Sequence, residues 1–281
     1  MNGIGWAHER DYTLFDSGLD FGPKIEEAAR RTVALKPDVV IVRSTAHALA
    51  VHRLTKTAPI VMLESGYPVA AGLAQSLAHP GMNVTGNSGY AGTGIWGKLF
   101  QLLQETKPGV RRIGLLWDYL PPMFLHDEVE FGMKQLRADA RTLKVETNFA
   151  EVRRPEDATA ALNTFVANGA QALLVSRGPM LSPQFARMIE RATAAKLPTI
   201  TDILPPVSPN IEPLHAYGAG RRELWRQTAG YADRILRGAA PGDLPIQQPA
   251  RFEFVISAKT ARALGITIPQ SILLRADRVI E

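Results

Sequence analysis

Short apolar runs alternate with amphipathic stretches along nearly the whole chain, and this constrains the fold more than any other feature. Strands that alternate with helices of about 10 to 15 residues need crossover connections, and so form parallel, doubly wound sheets. Between Gly22 and Lys36, Ile25, Ala28, Ala29, Val33 and Leu35 recur at helical spacing, with Pro23 suited to the first turn. Pro37 stops that helix, and residues 38–43 read as a buried strand. Ser44 and Thr45 cap a second helix running to Lys56. A strand over 59–63, a helix over 69–78, a short strand over 83–85 and a helix over 93–105 complete a first series. It ends at Lys107-Pro108-Gly109.

The pattern then restarts. Strands are expected over 112–117, 143–149, 172–176 and 198–201, with helices running to 141 and over 155–168 and 182–196. Residues 204–209 carry three prolines, which remove donors and fix φ, and read as a linker. A short strand over 214–217 follows, then a long helix over 221–237 closed by Gly238. Residues 241–249 read as a second extended linker, before a strand over 251–256 and a short helix over 259–264. The expectation is two α/β lobes with three crossovers, near 110, 210 and 248. The first lobe would take 1–110 and 215–246, the second 111–214 and 247–281. Several crossings make a hinge, and hinged α/β lobes take small ligands in the cleft between them.

Composition narrows the classes. With 46% hydrophobic and 21% charged residues over 281 positions, the chain is not a disordered tail. No apolar run reaches the roughly 18 residues of a membrane-spanning helix. The net charge of +5 is spread over separate pairs (Arg30-Arg31, Arg111-Arg112, Arg153-Arg154, Arg221-Arg222), without the clustered stripe that nucleic acid requires. Cysteine is absent, which removes thiolate catalysis, disulfides and Cys-ligated metals. The first residues, Met1 to Trp6, show neither the basic region nor the apolar core of a secretory leader.

Familiar catalytic motifs are missing or misplaced. Gly92-Thr93-Gly94-Ile95-Trp96-Gly97 matches GxGxxG, with Asp118 near the spacing of a ribose-binding acid. However, residues 87–91 read as a loop where a strand should enter the first glycine, and Trp96 would crowd a pyrophosphate. His47 and His52 diverge around a helix, and His126-Asp127-Glu128 fan out, so no metal set forms. No GxSxG elbow, P-loop or EF-hand loop is present. The expectation is no catalysis, no cofactor and no metal.

Strand-to-helix junctions remain, and ligands of open parallel sheets sit at the carboxyl ends of strands. Ser44, Thr45 and the following helix amides suit a carboxylate, or form an ordinary N-cap. Tyr67, Trp117 and Tyr119 could stack on a ligand. Asn87, Arg177, Asp202 and Tyr217 complete the candidates, with Arg177 or Asp202 pairing with a polar head.

Two stretches carry a family resemblance. Residues 70–86, AAGLAQSLAHPGMNVTG, resemble the GLVxSLARPGGNVTG signature of ABC-transporter substrate-binding proteins of the tryptophan-binding type. Residues 229–238, 243–249 and 259–269 are similar to that family's C-terminal block. The resemblance runs from about Gly5 to Glu281. It implies a type I periplasmic-binding fold of two Rossmann-like lobes, a small-molecule ligand, no catalysis, a periplasmic location and an ABC permease as partner. By analogy, the helix at 221–237 returns to the first lobe and the strand at 251–256 to the second. Gly66-Tyr67-Pro68-Val69 stands where the family usually has GDPV, so a tyrosine replaces an acid and favours an amino acid or an aromatic or apolar carboxylate. Gly5-Trp6 resembles the end of the family's first helix, so an earlier strand is expected upstream, and an exposed sheet edge would invite pairing with a second copy. Other readings of the same fold class are the ligand-sensing domain of a regulator and, further off, a nucleotide-dependent enzyme.

Overall fold

The computed structural model describes residues 12–16, 24–89, 94–118, 122–154, 156–176, 181, 184–202 and 212–281. The chain divides into two units. Met1–Ala91, Leu120–Gly132 and Arg221–Ala250 form the first; Gly92–Tyr119, Met133–Gly220 and Arg251–Glu281 form the second.

In the first unit, β1 (Val40–Val42), β2 (Ile60–Ser65) and β3 (Val84–Ser88) make a parallel sheet in the order β1-β2-β3. Val42 lies opposite Met62, and Met62 opposite Gly86. Successive strand residues face opposite sides. Ile60 and Met62 therefore join a core with Leu49 and Val51 of α2 (Thr45–Leu54) and Ile25 of α1 (Ile25–Ala34). Val61 instead meets Tyr231 and Ile235 of α7 (Arg221–Leu236). Covered on both faces, β2 is apolar without alternation from Ile60 to Leu63. Gly86 has φ +123°, and a Cβ there would sit 2.3 Å from the Met62 carbonyl oxygen, so only glycine fits.

Two expectations about this unit are corrected. Residues 69–78 form turns, not a helix. Gly72 takes φ +71°, and Leu73 N–H donates back to Pro68 O at 2.9 Å. Gln75 and Ser76 N–H groups then turn to Pro80 O and His79 O, so the helical ladder never propagates. The segment 241–249 is not a free linker. After a 3-10 turn over Pro241–Asp243, Gln247 pairs in parallel with Asn87: Gln247 N–H donates to Gly86 O at 2.9 Å and Ser88 N–H to Gln247 O at 2.8 Å. Ile246 is buried in the first unit's core. Prolines Pro245 and Pro249 are tolerated because pairing here lies at a sheet edge.

The second unit holds seven strands: β4 (Arg112–Asp118), β5 (Glu146–Val152), β6 (Ala172–Val175), β7 (Thr199–Thr201), β8 (His215–Ala219), β9 (Phe252–Ser257) and β10 (Arg278–Ile280). Their order is β10-β9-β8-β7-β6-β4-β5. All pairs are parallel except β8–β9. Leu116, Leu173 and Val175 pack beneath Phe165 of α5 (Asp157–Ala167) and Met188 and Ile189 of α6 (Phe185–Ala194). The opposite face meets α3 (Ile95–Thr106), where Trp96 and Trp117 rings lie 5.2 Å apart. The long α4 (Pro122–Thr142) begins in residues of the first unit and ends in those of the second.

The expected lobe boundaries shift. Residues 92–110 and 215–220, expected in the first lobe, group with the second unit. The reason is hydrogen bonding and packing: β8 lies between β7 and β9, and α3 rests on the second sheet. The changes of unit fall at 91/92, 220/221 and 250/251, with 120–132 as a further segment of the first. The proline-rich 204–209 lies outside the described residues. Two short elements were not expected, α8 (Ala258–Leu264) being followed by α9 (Gln270–Leu273) and then β10. Asp277 fastens β10 to β9 by accepting the Phe254 N–H at 2.8 Å and pairing with Arg251. The Phe254 amide, with Arg251, holds the Asp277 carboxyl below the usual range.

Candidate functional site

Each sheet has its own carboxyl edge. In the first unit it is built from hydroxyls. Ser44 is the N-cap of α2; its Oγ accepts from His47 N at 3.5 Å and lies 2.7 Å from His47 Nδ1. Thr45, the first helical residue, is 4% exposed. Its Oγ1 accepts the Gly66 N–H at 3.1 Å and shares a 2.8 Å hydrogen bond with Ser65 Oγ. Ser88, at the end of β3, donates its hydroxyl to Gly66 O at 3.0 Å. The β2–β3 register shifts between Met62 and Ser65, which turns Ser65 and Gly66 toward these neighbours. Tyr67 follows at once, and its ring meets Phe131 edge-on at 4.8 Å.

Asn87 has a different place from the one its sequence position implies. It lies in β3, not in a loop, and is fully buried. Its Nδ2 donates to Thr228 Oγ1 at 3.1 Å and reaches Leu224 O at 3.4 Å, so it ties α7 to the sheet.

The second unit's edge is a row set by register. Leu116, Val175, Thr201 and Ala216 stand opposite one another across β4, β6, β7 and β8. One residue further on come Trp117, Ser176, Asp202 and Tyr217. Residues level with each other in a sheet share a face, so these four line one side of the edge. Ser176 Oγ donates to Asp202 Oδ2 at 3.1 Å, and Asp202 is 4% exposed. Trp117 packs between Trp96 and Phe149. Tyr217 stacks on Phe252 at 5.3 Å; burial, and then the charge of Asp277, pushes its phenol upward.

Of the nine candidates, the first edge gathers Ser44, Thr45 and Tyr67, and the second gathers Trp117, Asp202 and Tyr217. Tyr119 and Arg177 lie outside the described residues. Ser65 and Ser176 stand at strand ends that the sequence marks, without being chosen as site residues, and Ser88 has no such mark. Which groups the three meet, Thr45, Gly66 and Asp202, follows from the register between strands, which a single sequence does not display.

The GxGxxG segment opens α3. Gly94 takes φ +100° at the N-cap, and Gly97 N–H donates to Asp139 Oδ2 at 2.8 Å. A phosphate seeking these amides would meet a carboxylate already there. Among the described residues no group of three His, Cys, Asp or Glu could hold a metal ion, and no helix is long and apolar enough to cross a membrane.

Known proteins of similar sequence and structure agree with this architecture. A tyrosine-binding protein of Clostridioides difficile is 25% identical over 252 residues, 90% of this chain and 70% of that protein. The crystal structure of a conserved domain protein from Vibrio cholerae superposes with a TM-score of 0.81 at 28% identity, covering 91% of this chain and 82% of that one. An ABC domain in complex with L-Trp from Streptococcus pneumonia gives a TM-score of 0.81 at 24% identity, covering 92% and 83%. The fold is that of type I periplasmic binding proteins. A family profile described as ABC transporter substrate binding protein matches residues 19–280, and this chain belongs to that family.

Proposed function

We propose that this protein captures an aromatic amino acid, or an aromatic or apolar carboxylate, outside the cytoplasmic membrane and hands it to an ABC permease for import. It works by binding, without catalysis. The observation that carries the reading is the second unit's row, where Trp117, Asp202 and Tyr217 stand on one face at one level of the sheet. Such a row offers flat apolar surface beside a buried carboxylate. The carboxylate suits an ammonium or hydroxyl donor, since a buried charge needs a partner of opposite or donating character. Taken by itself, the first unit's carboxyl edge carries the α2 N-terminus, which favours an anion, and the Tyr67 ring. Similarity to proteins described as tyrosine-binding and as in complex with L-Trp supports the aromatic class.

A thermal-unfolding panel of aromatic amino acids, aliphatic amino acids, sugars and polyamines tests this. A true ligand at about 100 times its Kd adds about 2.7 kcal/mol to stability. Trp117→Ala should weaken an aromatic ligand roughly 10-fold. Asp202→Asn should weaken an amino acid more than the same acid without its amino group. Tight binding of sugars or polyamines with none of aromatic acids would sink the reading.

A further inference from the structure

We propose that Thr45 and Ser88 are positioning residues that clamp the Gly66 peptide and so fix the Tyr67 ring, which then selects ligands with flat rings. The inference rests on the reading above, in that the ligand meets this edge.

Both polar groups of Gly66 are held from neighbouring elements. Its N–H is taken by Thr45 Oγ1 at 3.1 Å, from the first turn of α2, and its C=O by Ser88 Oγ at 3.0 Å, from the end of β3. Thr45 and Ser88 are 4% and 3% exposed, so neither bond competes freely with water. Ser65, 1% exposed, braces Thr45 from below at 2.8 Å, and Gly89 N–H donates to Ser65 O. A hydroxyl has one donor and two acceptor positions. Two of Thr45's three are spent on the chain itself, which is a poor disposition for seizing a ligand carboxylate. After Gly66 the chain enters the 67–73 turns, where Tyr67 O accepts Ala71 N–H at 2.9 Å and Pro68 O accepts Leu73 N–H at 2.9 Å. The backbone is thus pinned immediately before and after Tyr67. A ring on a pinned backbone loses little freedom when a ligand stacks on it, which raises affinity for flat partners without any new contact.

Thr45→Val keeps the shape and removes the hydroxyl; Thr45→Ser keeps the hydroxyl. The first readout needs no ligand. Amide hydrogen exchange at Gly66 should quicken about 10-fold in Thr45→Val and in Ser88→Ala, and stay within about 3-fold of wild type in Thr45→Ser. The second readout uses L-tyrosine and L-leucine as probes. Thr45→Val should weaken L-tyrosine about 5- to 20-fold and L-leucine no more than about 2-fold, with Thr45→Ser restoring the wild-type ratio. In a Tyr67→Ala background, Thr45→Val should cost no more than about 2-fold further, because the two residues act as one unit. Unchanged Gly66 exchange overturns the clamp. Equal loss for both probes overturns it in favour of Thr45 holding the shared carboxylate. If wild type binds neither probe nor any other aromatic acid, the functional reading falls and the selectivity with it, while exchange still judges the clamp.

Discussion

The two sheets solve the same problem in different ways. The second sheet keeps one register from β4 to β8, so Trp117, Ser176, Asp202 and Tyr217 come level without any local device. The three-stranded sheet of the first unit shifts register within β2, needs a glycine at φ +123° in β3, and borrows Gln247 from far along the chain as an edge partner. Its edge is then held by hydroxyl-to-backbone bonds around Gly66. A regular sheet positions side chains by geometry alone. An irregular one must position them with extra hydrogen bonds, and those bonds use up groups that would otherwise reach a ligand.

The largest effect that separates the two sheets should come from their glycines. At Gly86 an added Cβ meets backbone at 2.3 Å and the φ is wrong for any other residue. At Gly114 of β4 the nearest atom is a ring carbon of Phe165 at 2.6 Å, which can shift. Gly86→Ala should cost about 4 kcal/mol or more, and Gly114→Ala about 2 kcal/mol, by denaturant titration. Equal costs would mean that the first sheet yields as readily as the second.

Next comes a pH effect that should be larger in the second unit than in the first. His215 is fully buried, its Nε2 within 2.8 Å of Thr106 Oγ1 and its ring against Phe254, and burial lowers its pKa to about 3 from 6.5. The folded form holds fewer protons than the unfolded one. The stability from this residue is therefore full above pH 6.5, is lost as pH falls below it, and stops falling near pH 3. The slope is about 1.4 kcal/mol per pH unit, so roughly 2 kcal/mol should go between pH 6.5 and 5. His52 in the first unit is also lowered by burial, opposed by its hydrogen bond to Asn83, and should give a shallower slope. Denaturation of His215→Gln across that pH range checks this; an unchanged slope would remove His215 as the source.

The smallest effect should be at exposed ion pairs. Arg237, just past the end of α7, and Asp233 within it meet at 2.8 Å, but the arginine side chain is 63% exposed. Arg237→Ala should change stability by about 0.5 kcal/mol or less. A larger loss would show that α7 depends on its outer face as well as on Tyr231 and Ile235.

Much of the fold was legible in the chain. The helices at 25–34, 45–54, 221–236 and 258–264 carry apolar periodicity and clear caps or breakers, and the buried strands are runs of Val, Ile and Leu. The misreadings share a cause. Residues 69–78 are rich in alanine and leucine, yet their amides bond across a turn that only the loop's ends define. Residues 241–249 look like a linker because prolines forbid a central strand, whereas an edge tolerates them. Residues 278–280 are too short a run to show a period. Among the site candidates, Ser44 and Thr45 were recognisable as a helix start. That Thr45 serves Gly66, and that Asn87 serves α7, depends on which elements lie beside them.

The order of apolar runs and helix breakers by itself determined the class of fold, because local propensity and periodicity are written residue by residue, and two long motifs carried the resemblance to the family. Tertiary structure alone decided which strands are neighbours. It moved β8 and α3 into the second unit, made an edge partner of Gln247, and brought Trp117, Ser176, Asp202 and Tyr217 level. The physical reason is that strand order and register are set by burial and hydrogen bonding between segments far apart in the chain, and no single segment encodes them.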